Sequence, residues 1–174
     1  MAGPDKKYWD IAVNEEHGCF EASNAFEVVP ISEAPPDAKT LTSTWAMKKK
    51  ANGTFRARLN ARGFEQRDGE HYDSSKKAVP VAQQATIMII LTTMTMAAWH
   101  AASMDAKRAF LLGEFDPGIR IFMWIPQGFK KFHPIDVTLL PKKTIHGLKQ
   151  AAMAFWKALV EAFRKMNFQR NKGW

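Results

Sequence analysis

The chain has 174 residues, 25 Lys and Arg against 17 Asp and Glu, and a net charge of +8. That length suffices for one domain with a core of its own, and the cationic excess favours an anionic partner such as nucleic acid without bearing on fold. A single cysteine, Cys19, excludes an internal disulfide and points to an intracellular protein, and residues 1–24 lack the apolar core of a signal peptide.

Residues 5–23 read as a helix, with Tyr8, Trp9, Ile11, Ala12 and Phe20 forming a rough apolar stripe and Glu15 and Glu16 opposite. Phe26, Val28 and Val29 suggest a short strand, and Pro30, Pro35 and Pro36 break the chain into a loop. Residues 44–62 then read as a hairpin turning at Asn52-Gly53, the dipeptide suited to a tight turn whose two central residues both have positive φ. On the return strand Phe55, Ala57, Leu59 and Ala61 share one face, while Arg56, Arg58, Asn60 and Arg62 share the other. Arg56 and Arg58 would lie about 7 Å apart, with Arg62 further along the row. Such a row is self-repelling unless water or phosphate screens it. It suits the backbone of a nucleic acid, and it equally suits the solvated face of an edge strand, where basic residues deter aggregation.

Residues 63–78 are polar and read as loop, and residues 79–100 as a helix. The apolar run 85–99 is short for a membrane span and reads as a buried helix, with Met88, Met94 and Met96 as core filler. Ser103-Met104-Asp105 reads as a strand end entering a turn, residues 119–125 as a strand stopped by Pro126, and Val137 to Leu140 as another. Residues 150–166 form an amphipathic helix with Ala151, Ala154, Phe155, Ala158, Leu159, Ala162 and Phe163 on its apolar face.

Asp105 could hold Mg²⁺ together with substrate phosphate and water, or it could simply cap the turn that follows. No Asp-Asp pair occurs in the sequence, Asp116 and Asp136 sit in turn contexts, and Glu114 is near Asp105 in sequence without a defined facing. The five histidines lack zinc spacing, and neither a phosphate-binding glycine loop nor a hydrolase triad is present.

These segments together resemble the reverse transcriptase domain of copia-type LTR retrotransposons. The resemblance rests on Trp45 to Lys50, Phe55 to Gln66, His71-Tyr72-Asp73, Pro80-Val81, Met104 to Glu114, Pro126 to Phe129 and Ile145 to Ala151. Trp9, Glu15-Glu16 and Asn24 to Pro30 match the family's lead-in. It implies an α+β, partial right-hand polymerase fold: a lead-in helix and loop over 1–43, then fingers and an incomplete palm over 44–174. The basic hairpin would close over the triphosphate of an incoming dNTP, with Arg58 in contact and Lys49 second to it. Arg56, Arg62 and Lys149 would touch the RNA or DNA template-primer. Asp105 would be the first catalytic, metal-binding aspartate, and Phe110 would sit under the sugar and exclude a 2′-hydroxyl. Residues 147–150, Gln150 included, would border nucleotide and template.

In-line phosphoryl transfer needs two Mg²⁺ ions about 3.5–4 Å apart, held by several carboxylates. The family's paired aspartates belong to a later palm hairpin with no counterpart among these 174 residues. The expectation is therefore a fragment inactive alone, with a non-catalytic nucleic-acid-binding or interaction protein as the alternative. The strand bearing Asp105 would lack its partner hairpin and offer an unpaired edge for self-association. Smaller departures from the family are Asn60 in place of Val, Lys76-Lys77-Ala78 in place of a Phe-containing stretch, and His146 in place of Tyr.

Overall fold

Helix α1 (Lys6–Ala22) starts the chain in a computed structural model that describes residues 4–169. The extremes of the two expected segments, 1–3 and 170–174, lie outside the described residues. The end of α1 is set by Asn24, which takes the left-handed conformation at φ 47°. Ala25 N–H donates to the Phe20 carbonyl at 2.9 Å and Asn24 N–H to that of Glu21 at 2.9 Å, so the last turn's open carbonyls are satisfied. Ala12, Val13, His17 and Phe20 face the core, whereas Tyr8 and Ile11 of the expected stripe are exposed.

Strand β1 (Phe26–Pro30) pairs antiparallel with β4 (Val137–Pro141), Val28 opposite Leu139. The second sheet is the expected hairpin, β2 (Ser43–Lys49) and β3 (Phe55–Ala61), with Trp45 opposite Leu59 and Lys48 opposite Arg56. Its turn differs from expectation. Only Gly53 has positive φ, at 80°, and the loop holds five residues. Gly53 N–H donates to the Lys50 carbonyl and Lys50 N–H to the Thr54 carbonyl, both at 2.9 Å. Asn52 instead accepts from Thr54 N–H through its side chain, so glycine alone carries the left-handed step.

The core lies between α1, the apolar face of the hairpin, the extended segment 119–125 and the turn at 145–151; Leu41, Leu59, Ile121, Met123, Phe129, Leu139 and Ile145 are fully buried there. Residues 119–125 are not the strand the sequence suggested. Met123 bridges Leu41 on one side and Leu139 on the other, one residue at a time, so the chain is extended but forms no ladder. The final helix, α3 (Ala151–Lys165), buries Ala151 and Ala154 and leaves Leu159 exposed.

Two larger expectations fail. No strand carries Asp105. Residues 100–106 lack regular structure, so the unpaired palm-strand edge does not exist here. The helix expected over 79–100 forms as α2 (Gln84–Met96), but none of its residues is buried. Ile87 is 45% and Ile89 66% exposed. A helix apolar on all sides needs cover on all sides, and among the described residues of α2 only Met94 is even half-buried. Nor is any described helix long and apolar enough to cross a membrane.

Three histidines, His17 buried and His133 and His146 half-buried, should give the fold a pH dependence. His17 and His133 share a hydrogen bond between their Nε2 atoms at 3.1 Å, and His17 stacks on Phe132 at 4.1 Å. Burial lowers the pKa of both, and Lys131 adds to the effect at His17 while Glu21 opposes it. His146 is lowered too, by burial first and then by Arg58 and Arg56. Lowered folded-state values mean that below the ordinary histidine value of about 6.5 the unfolded chain binds more protons. Stability present above that pH is therefore lost as pH falls through it. Urea midpoints should drop between neutral and mildly acidic buffer, and His133→Gln should flatten that drop; a flat profile for the unsubstituted chain would refute the assignment.

Candidate nucleic-acid interface

The hairpin face turned away from the core carries Lys48, Arg56 and Arg58, and register places Lys48 directly opposite Arg56. Like charges facing each other across a ladder destabilise it, so this face gains from an anionic partner. Among the described residues neither the Arg56 nor the Arg58 side chain makes a hydrogen bond or a close ion pair, although both act at longer range on the Glu16 carboxylate. Both guanidinium groups are free to engage an anionic partner.

They open onto a cleft of about 1010 Å³. Residues Glu15, Glu16 and Cys19 of α1 form one wall, β3 contributes Phe55, Arg56 and Arg58, and the loop 105–111 supplies Asp105, Lys107, Arg108 and Phe110. Ile145 and His146 close it. Lys50, Arg56, Arg58, Lys107 and Arg108 face three carboxylates, Glu15, Glu16 and Asp105, leaving the lining positive by two. Arg58 and Asp105 thus share one cleft.

Each wall is positioned by identifiable bonds. Glu16 Oε1 accepts the Leu59 N–H at 3.1 Å, which ties α1 to the outer edge of β3. Burial raises the Glu16 pKa, opposed by the Leu59 N–H and by Arg108, Arg56 and Arg58. Phe110 is held from behind: Thr144 Oγ1 donates to its carbonyl at 2.7 Å, and the His146 ring packs edge-on against it at 4.7 Å. Arg108 takes a left-handed conformation at φ 54° and points its guanidinium to Cys19 Sγ. Asp105 is exposed and makes no hydrogen bond or ion pair among the described residues.

The remaining expected residues lie elsewhere. Lys49 projects from the opposite hairpin face, 3.8 Å from Asp5 and 4.7 Å from the Phe55 ring centre. Arg62 sits at the hairpin exit, 4.0 Å from Glu65. Lys149 donates to the Tyr72 hydroxyl at 2.9 Å, and Gln150 accepts from Gln66 at 2.9 Å and donates to the His71 carbonyl at 3.0 Å. Those two residues clamp the loop after the hairpin and do not line the cleft. Sequence reasoning missed Glu16, Lys107, Arg108 and His146 as cleft residues. The Lys107-Arg108 pair beside Asp105 was the available signal; Glu16 stood in the lead-in match, with no role attached to it.

The donor set does not suit a pair of divalent ions. Among the described residues no three His, Cys, Asp or Glu side chains group closely enough to hold a metal, and the carboxylates of the cleft stand among more numerous cations.

Comparison with known proteins agrees with the sequence. The family model described as reverse transcriptase (RNA-dependent DNA polymerase) matches residues 24–173. The chain belongs to the reverse transcriptase family. It is 28% identical over 170 residues to the retrovirus-related Pol polyprotein from transposon TNT 1-94 of Nicotiana tabacum, covering 95% of this chain and 12% of that protein. It is 29% identical over 156 residues to the corresponding polyprotein from transposon RE2 of Arabidopsis thaliana (87% and 10%) and 30% over 158 residues to that from RE1 (87% and 10%). The chain therefore spans 10–12% of the length of these relatives. No solved structure matches it.

Proposed function

We propose that this reverse transcriptase chain is the fingers and first part of the palm of a copia-type RNA-directed DNA polymerase, and that it binds nucleic acid without polymerising alone. The observation supporting this reading is the single cleft that Arg56, Arg58 and Asp105 line together. Guanidinium groups at strand spacing suit successive phosphates. Arg58 and Arg56 contact phosphate, Arg108 widens the cationic rim, and Phe110 bounds the space where a sugar would sit. Asp105 is one metal ligand of the several that the reaction needs, so the family's Mg²⁺ chemistry requires carboxylates beyond this set. A non-catalytic nucleic-acid-binding role is the second reading, favoured by the same cationic excess and incomplete donor set.

Two assays test this. Primer extension with Mg²⁺ should yield no product; extension abolished by Asp105→Ala would overturn the claim of inactivity. Binding to single-stranded polynucleotide should weaken as salt rises, and Arg56→Ala with Arg58→Ala should lower the log–log salt slope by about 1.4, at ~0.7 per phosphate contact. A salt-independent affinity, or one unchanged in the double variant, would remove the cleft from consideration.

A further inference from the structure

Against Phe55, a residue of the cleft lining, α1 and the hairpin build an aromatic stack. Tyr8 lies parallel to Phe55, ring centres 5.2 Å apart and planes 12° from each other. Trp9 braces Phe55 edge-on at 4.6 Å, and the Lys49 ammonium, steadied by Asp5 at 3.8 Å, sits 4.7 Å from the Phe55 centre. Phe55 itself lines the cleft beside Arg56.

Tyr8 is the outer layer of this stack. It is 54% exposed, and Phe55 is its one ring contact among the described residues. Its hydroxyl has no hydrogen-bond partner there. A tyrosine recruited for packing buries its ring and satisfies its hydroxyl. This one does neither. The exposed lysines Lys6, Lys7, Lys48 and Lys50 come from the same helix start and hairpin end.

We propose that Tyr8 and Phe55 form a ledge on which an unpaired base of a nucleic-acid strand stacks while its neighbouring phosphates lie along Arg56 and Arg58. The inference rests on the nucleic-acid reading above and adds the ligand class: single-stranded, read by the face of a base and not by its edge. An open π-face next to a cationic groove is the combination by which single strands are held without sequence preference. A paired duplex keeps its bases stacked on each other and cannot offer one to the ledge.

The test uses the full chain, a fluorescent oligothymidylate, and the same backbone with abasic positions. Tyr8→Ala should weaken binding of the base-bearing strand roughly tenfold, leave the abasic strand unchanged, and be rescued by Tyr8→Phe. Urea midpoints of the variants report whether the fold is kept. If Tyr8→Ala weakens both strands equally, or neither, while Arg56→Ala with Arg58→Ala still loses affinity, the ledge is refuted and the cleft reading stands. If the unsubstituted chain binds neither strand, both fall together.

Discussion

Gly147→Ala should lower folding stability by more than about 3 kcal/mol. Two independent effects combine at this position. The backbone stands at φ +90°, where a side chain is strained whatever the space. An added Cβ would also overlap the carbonyl oxygen of Ala61, a backbone atom that cannot turn aside. The crowding is reciprocal, because a Cβ on Gly63 would overlap the carbonyl oxygen of Gly147. The two segments approach this closely because Ala61 N–H donates to the His146 carbonyl at 2.8 Å and Lys149 N–H to Gln66 Oε1 at 2.8 Å. That crossing fixes the hairpin exit against the 145–150 turn, and so sets His146 across the cleft from Arg58. Against a typical total of roughly 5–15 kcal/mol, the loss should show as a large fall in urea midpoint. Gly18→Ala is the control: it lies within α1, meets nothing within 4 Å, and should stabilise by about 0.5–1 kcal/mol. Equal midpoints for Gly147→Ala and the unsubstituted chain would show that the crossing has room for a side chain and would refute this account.

How much of this was legible depended on whether the information was local. The hairpin was readable because a period of two is written into residues 55–61 by side chains that face core and solvent in turn. The helices α1 and α3 were readable from their apolar spacing. The turn was read with the right glycine and the wrong geometry, since Asn-Gly fits several loops and the hydrogen-bond pattern chooses among them. Ser103-Met104-Asp105 reads as a strand end entering a turn, but a strand needs a neighbour to pair with, and none of the described residues supplies one. For the cleft, the arginine row and Asp105 could be found along the chain. Glu16 could not, because its role arises from α1 lying against the edge of β3, a contact between residues 43 positions apart.

The apolar helix was read correctly as a helix and wrongly as buried, and its exposure has the largest consequence for behaviour in solution. The unsubstituted chain should self-associate through α2, with light scattering rising steeply with concentration. The sequence reads a strand edge beside Asp105 as the sticky surface; no strand forms there, and the exposed apolar surface is instead a helix with no charged residue between Gln84 and Met96. Removing an Ile or Leu side chain from water is worth about 1.5–3 kcal/mol. Replacing Ile89 and Leu91 with lysine should therefore shift the concentration of half-association upward by two or more decades, at ~1.4 kcal/mol per decade. The substitution should leave folding intact, because both side chains are at least half exposed in the chain as it stands. Hydrophobic-dye fluorescence should fall in parallel. A chain that stays monomeric across a wide concentration range, with dye fluorescence unchanged by the two lysines, would mean that α2 folds against its own chain in solution.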